Sequence, residues 1–378
     1  MPKTFVLAPD SFKESMTAEQ ACQAIQRGIQ NVYPDAVCIS VPMADGGEGT
    51  VDALIAAQGG QKIECEVTGP LAWQKIQTYF GLVEEGKTAI IEMAKANGIH
   101  LLEPAQRNPL LTTTLGTGEM IKAALDLAIS KIIIGLGGSV TNDAGAGMAQ
   151  ALGVKFLDAT GCDAALGGGQ LDQIKKIDLS GLDARLKQVE ILIASDVNNP
   201  LCGANGASYV FGPQKGATSE MMKTLDNNLN HFADVVEQQL GIDCREIAGA
   251  GAAGGLGFGL MVFTDAKIRS GVELVIEQTK LADKIAQADY VLTGEGKIDF
   301  QTKFGKTPFG VAQVAKQFNK PVIAFAGVVG ELYDLGFSQI IGINPPEISM
   351  EHAIAHASMY LEEAVEQYVR NYNFNELI

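Results

Sequence analysis

The chain of 378 residues is 47% hydrophobic and 19% charged and has no low-complexity tract, which excludes a disordered or fibrous protein and fits a globular enzyme. Its formal net charge of −16 offers no basic footprint to nucleic acid and no attraction to an anionic membrane surface, so neither is expected as a partner. At this length a single hydrophobic core is rarely enough, and two domains are expected. Six cysteines, at 22, 38, 65, 162, 202 and 244, show no C-x-x-C spacing and read as buried free thiols of a reducing compartment. No apolar run reaches about 18 residues and the N-terminus lacks a signal-peptide pattern, so a cytoplasmic location is expected. The oligomeric state leaves no readable signal.

The opening residues TFVLA, 4–8, read as a strand running into Pro9, Asp10, Ser11, Phe12 and Lys13. Thr17 and Gln20 form a capping box for a helix with Ala21, Cys22, Ile25 and Ile29 on one face. A second strand, 36–43, ends in ADGGEGT and precedes a helix through Val51, Leu54 and Ile55, repeating the β-loop-α order of a parallel sheet. From 61 to 110 the pattern changes to alternating segments bounded by Gly and Pro, the signature of antiparallel pairing. A helix is expected at 117–130.

Residues 131–153, KIIIGLGGSVTNDAGAGMAQALG, form the most informative stretch. Ile132, Ile133 and Ile134 read as a central strand, and Gly135, Gly137 and Gly138 permit a sharp turn with exposed N–H groups. Ser139 or Thr141 is expected to cap the helix that follows, whose start would attract phosphate. The stretch is neither a P-loop nor a dinucleotide fingerprint. Asp143 in the same turn would repel a bare phosphate, so it implies either a shared cation such as Mg²⁺ or an Asp that merely favours the helix dipole. Further on, VEILIASD is an apolar strand stopping at Asp196, GAGAAGGLGFGL begins at Gly249, and strands are expected at 288–296, 321–327 and 337–343 before a closing helix. Parallel strands at both chain ends imply one Rossmann-like sheet, residues 1–68 and 285–378, with 69–284 inserted as a mixed α/β domain.

Carboxylates recur in glycine-rich loops, generally after strands: Asp10, Asp45 with Glu48, Asp143, Asp196, and Glu295 with Asp299. Ligands of open α/β sheets bind outside the carboxyl ends of strands, where such loops lie. Lys13, Lys215, Lys297 and Lys306 occupy comparable loops and can meet phosphate or carboxylate as point charges, Lys13 and Lys215 foremost. Anion nests, acidic cation ligands and loop lysines together describe phosphoryl transfer. No zinc motif, hydrolase elbow or nicotinamide site is supported.

The motifs APDSFKESMTAEQA, PMADGGEGT, GLGGSVTNDAGAGMAQALG, SDVNNPLCGANGA, FGPQKGA, GAGAAGGLGFG and LTGEGKIDFQTKFGKTPFGVA, in order along nearly the whole chain, resemble the signatures of the bacterial glycerate kinase family. The resemblance implies two unlike α/β domains around a cleft. It implies ATP- and Mg²⁺-dependent phosphorylation of D-glycerate, for this branch at the 2-hydroxyl, in glyoxylate or sugar-acid breakdown. Within those motifs, Gly137, Gly138, Ser139 and Thr141 are assigned to the phosphates of ATP, and Asp143, Glu295 and Asp299 to the metal. Asp10, Ser11, Lys13, Asp45 and Glu48 are assigned to substrate. Lys215 would neutralise charge on the transferring phosphoryl, and Asp196, ahead of Asp45, would accept the hydroxyl proton. Two other classes use similar loops: a Mg²⁺-dependent hydro-lyase acting on a hydroxy acid, and a non-catalytic module sensing nucleotide or sugar acid.

Overall fold

The computed structural model describes residues 2–303, 305–331 and 335–372; Phe304 of the last motif lies outside them. Its strands are β1 (Thr4–Leu7), β2 (Val37–Ser40), β3 (Gln61–Thr68), β4 (Lys75–Val83), β5 (Thr88–Glu92), β6 (Lys131–Gly135), β7 (Lys155–Leu157), β8 (Lys176–Asp178), β9 (Glu190–Ala194), β10 (Lys267–Arg269), β11 (Tyr290–Ile298), β12 (Val322–Val329) and β13 (Gln339–Gly342). Chain contacts separate two units, Met1–Asp45 with Asp52–Gly59 and Ser270–Ile378, and Gly46–Val51 with Gly60–Arg269.

The first unit is built on a five-stranded sheet in the order β13-β12-β11-β1-β2, every neighbouring pair parallel. Its strands come from both ends of the chain. Phe5, Val6 and Leu7 are fully buried, the continuous apolar run of a strand covered on both faces. On one face lies the helix Ala18–Gln30, started by the reciprocal Thr17–Gln20 capping box. It buries Ala21, Cys22, Ile25 and Ile29 against Phe5, Leu7, Phe325, Leu361 and Val365. Gly28 permits the close approach of the helix Ala357–Asn371, since a Cβ there would stand 2.6 Å from the Glu362 carbonyl. This packing leaves the loops after β1, β2 and β11 together at the carboxyl edge of the sheet.

The second unit carries a six-stranded mixed sheet, β10-β9-β6-β5-β4-β3. β3, β4 and β5 pair antiparallel, while β5, β6, β9 and β10 run parallel. Ile132, Ile133 and Ile134 of β6 lie in its core with Ile91, Met120, Met148, Ile193 and Leu256, apart from Ile133, which is buried on the opposite face. A second core joins the short β7–β8 pair to the helix Ser219–Leu240 through Phe156, Phe232, Phe258 and Phe263.

The unit edges fall at different places from 68 and 285. All eight residues of β3 pair with β4, so 61–68 belongs to the mixed sheet. The helices Gly271–Gln278 and Leu281–Ala286 pack against the helix Thr307–Gln317 and so belong to the first unit. Strand pairing and helix packing, which no local pattern reveals, set both limits. All six cysteines are free thiols. Among the described residues no helix is long and apolar enough to cross a membrane.

Candidate active site

In the first unit three strands deliver the polar groups. Asp10 follows β1, Asp45 follows β2, Glu295 stands on β11, and Asp299 comes directly after it. Gly294 lets the loop after β1 cross β11 closely, because a Cβ there would stand 2.5 Å from the Phe325 carbonyl and 3.2 Å from Phe12 Cζ. That loop is closed by paired backbone bonds between Phe12 and Met16, which hold Ser11 and an exposed Lys13 at the turn.

The Asp10 carboxylate accepts from the Ser11 N–H at 2.6 Å and from the Thr307 hydroxyl at 2.5 Å. Burial, and then the charge of Asp45, push its pKa up to about 7, with Glu295 adding to the repulsion. Glu295 accepts from Thr302 Oγ1 at 3.1 Å and pairs with Lys306 Nζ at 3.3 Å. Burial holds Glu295 above the usual carboxylate range even against that lysine. Asp299 is bonded to Lys297 at 2.9 Å, which holds it low. Asp10, Asp45 and Glu295 thus form a repelling set of carboxylates beside the cation of Lys306.

In the second unit β6 runs into the turn at Gly137 and Gly138, both exposed. The turn is pinned by the Ile99 N–H to the Gly138 carbonyl at 2.8 Å and the Val140 N–H to the Asn97 carbonyl at 3.1 Å. The backbone N–H groups of Gly137, Gly138 and Ser139 have no acceptor among the described residues. Three successive unbonded N–H groups at a turn form a cradle for an anion. Glycine is required at 137 because Gly47 packs there, its Cα only 2.9 Å from where a Cβ would stand. The ADGGEGT stretch therefore divides: Asp45 belongs to the first unit, while Gly46, Gly47 and an exposed Glu48 belong to the second.

The helix that follows differs from expectation. It spans only Ala146–Ala151 and its N-cap is Gly145, in the left-handed region; neither Ser139 nor Thr141 caps it. Six residues make a weak dipole, so anion attraction at this turn comes from its own N–H groups. Asp143, expected as a metal ligand, is fully buried. Its Oδ2 accepts from the Thr114 N–H at 2.8 Å, the Thr114 hydroxyl at 3.0 Å and the Gly147 N–H at 3.3 Å, and its Oδ1 accepts from the Gly145 N–H at 3.2 Å. These four donors engage the carboxylate within the second unit, three of them on Oδ2 and one on Oδ1. Among the described residues no group of three His, Cys, Asp or Glu side chains is disposed to hold a metal.

Lys215, 1% exposed, donates to Ser139 Oγ at 2.8 Å and to the Thr141 carbonyl at 2.7 Å. Burial pulls its pKa down to about 7, against the opposing charge of Asp143. Its ammonium thus meets Ser139 and Thr141 in place of solvent. The glycines at 249–255 serve as a backing for the same turn: Ala253, Gly254 and Gly255 are all left-handed, and a Cβ at Gly254 would fall 1.9 Å from the Thr141 carbonyl. Asp196 is exposed two residues beyond β9, where the Ser195 hydroxyl, and not the Asp196 carboxylate, accepts from the Val197 N–H at 3.3 Å. Sequence reasoning missed Thr114, Thr302 and Thr307, although Thr302 and Thr307 stand inside the last motif.

Asp10 makes a prediction about stability. Its folded pKa exceeds the unfolded value, so the stability it contributes is present below about pH 4 and is lost as pH rises through about 7. Asp10→Asn, which keeps the Ser11 bond and removes the charge, is expected to melt higher than the parent at pH 8 and level with it near pH 4. Melting curves at both values check this, and a variant no more stable at pH 8 would mean that Asp10 is not crowded.

The sequence pattern of the glycerate kinase family matches residues 5–373. A glycerate kinase of Haemophilus influenzae is 56% identical over 333 residues, 88% of this chain and 88% of that protein. A glycerate 2-kinase of Escherichia coli is 50% identical over 342 residues, 89% of this chain and 90% of its own. The crystal structure of a glycerate kinase 2 from Salmonella typhimurium superposes with a TM-score of 0.89 at 46% identity, covering 98% of both chains. The chain belongs to the glycerate kinase family.

Proposed function

We propose that this kinase transfers the γ-phosphoryl of ATP to the 2-hydroxyl of D-glycerate, giving 2-phospho-D-glycerate and ADP, in glyoxylate or sugar-acid breakdown. The observation that carries the choice of hydroxyl is the identity of 50% with a glycerate 2-kinase across nearly nine-tenths of both chains. In the transfer the bond from the γ-phosphorus to the ADP oxygen breaks, a bond to the glycerate oxygen forms, and the hydroxyl proton passes to a carboxylate. The unbonded N–H groups of Gly137, Gly138 and Ser139 are assigned to the nucleotide phosphates. Ser11 and Lys13 supply a donor and a cation suited to the glycerate carboxylate, and Asp45 an acceptor for its hydroxyls.

Mg²⁺ is the proposed cofactor, with Glu295 and Asp299 as its ligands. The fit rests on the hard oxygen donors of both residues and, at Glu295, on the repulsion among Asp10, Asp45 and Glu295 that a divalent cation would relieve. When bound it would neutralise charge on phosphate oxygens.

The phosphorus NMR spectrum of the product tests the choice of hydroxyl. A phosphate on carbon 2 couples to one proton and gives a doublet, the expected result; a triplet from the adjacent methylene would mean the 3-hydroxyl. Loss of water without ADP formation would favour the hydro-lyase reading.

Asp196 is assigned to receive the proton, being an exposed carboxylate just past a rigid strand. General-base catalysis contributes roughly 10²–10⁴-fold, so Asp196→Asn is expected to lower kcat by about that factor while ATP still binds. Near-normal kcat in the folded variant would move the role to Asp45.

A further inference from the structure

The turn after β6 is held from beneath by a cation. Lys215 comes at the end of the short 3₁₀ turn Pro213–Lys215 and its ammonium reaches two points of one loop, the Ser139 hydroxyl and the Thr141 carbonyl. On its other side Thr141 is backed by Gly254, and the Ala144 N–H donates to the Gly254 carbonyl at 3.1 Å. The backbone between Gly138 and Ala144 is therefore fixed at both flanks, while the three N–H groups at its tip stay unbonded. We propose that Lys215 is a positioning residue for the nucleotide phosphates, acting through Ser139 and Thr141 to aim the N–H groups of Gly137, Gly138 and Ser139, and does not contact the transferring phosphoryl. The inference rests on the reading that this turn holds the phosphates.

Three features support it. The ammonium is almost wholly enclosed and meets the Ser139 hydroxyl and the Thr141 carbonyl, while Gly137 and Gly138 are exposed. A buried cation is costly, and an apolar side chain of the same length would fill the space with less penalty, so its presence is better explained by what it holds than by stability. Both of its acceptors are charge-assisted partners within three residues of one another, which gives one side chain control of the loop's direction.

Lys215→Met and Ser139→Ala, singly and combined, separate the alternatives. For Lys215→Met the dissociation constant of ADP and the KM for ATP are expected to rise about tenfold, kcat to fall less, and KM for glycerate to stay within about twofold. Ser139→Ala is expected to raise the KM for ATP by a smaller factor, and the double variant to be no worse than Lys215→Met alone, because one interaction is lost twice. A fall in kcat at unchanged KM, or effects that multiply, would overturn the proposal. Weaker ADP binding in Ser139→Ala but not in Lys215→Met would refute the inference alone. ADP binding untouched in both folded variants would refute the phosphate reading of the turn itself. Should Lys215→Met fail to fold, Ser139→Ala still decides, since an unchanged KM for ATP there contradicts a role for the hydroxyl that Lys215 holds.

Discussion

The second unit depends on one buried polar arrangement. Asp143, with no exposed surface, ties the Thr114 region to the start of the helix at Ala146, and Lys215 ties the preceding turn to the Pro213–Lys215 segment. Burial raises the pKa of the carboxylate and lowers that of the ammonium, and the Asp143 charge works against that lowering. Each group keeps its own hydrogen-bond partners, four donors on Asp143 and two acceptors on Lys215. What the arrangement secures is a turn whose own N–H groups need no internal partner.

The first unit shows the opposite condition, charges that repel. Asp10, Asp45 and Glu295 are brought near one another by strand order, since β1 pairs directly with both β2 and β11. Thr302, Thr307 and Lys306 relieve part of the repulsion by donating to the carboxylates. Carboxylates that repel in this way would be stabilised by a cation or a donor-rich ligand, and proteins commonly give up some stability at functional sites.

Much of this was legible in the sequence for identifiable reasons. The Thr17–Gln20 capping box, the β-branched run of β6 and the parallel strands at both chain ends depend on local pattern, and local pattern is what a sequence displays. Gly137 and Gly138 were likewise readable as a turn. The roles of Asp143 and Lys215 were not, because their partners lie 29 and 76 residues away and burial leaves no mark on a single residue type. The same holds for the glycines at 249–255: their spacing supports no nicotinamide site, and three left-handed residues pack them against Thr141. Thr307, one ordinary residue in a helix start, gave no hint of a bond to Asp10 across 297 positions.

The central claim is that the unbonded N–H groups after β6 are where nucleotide phosphates sit. Amide ¹H–¹⁵N spectra of the full chain titrated with ADP test it most directly. The account predicts the largest downfield shifts at Gly137, Gly138 and Ser139, whose N–H groups gain charged acceptors. Saturable ADP binding that leaves those three amides unmoved would contradict it.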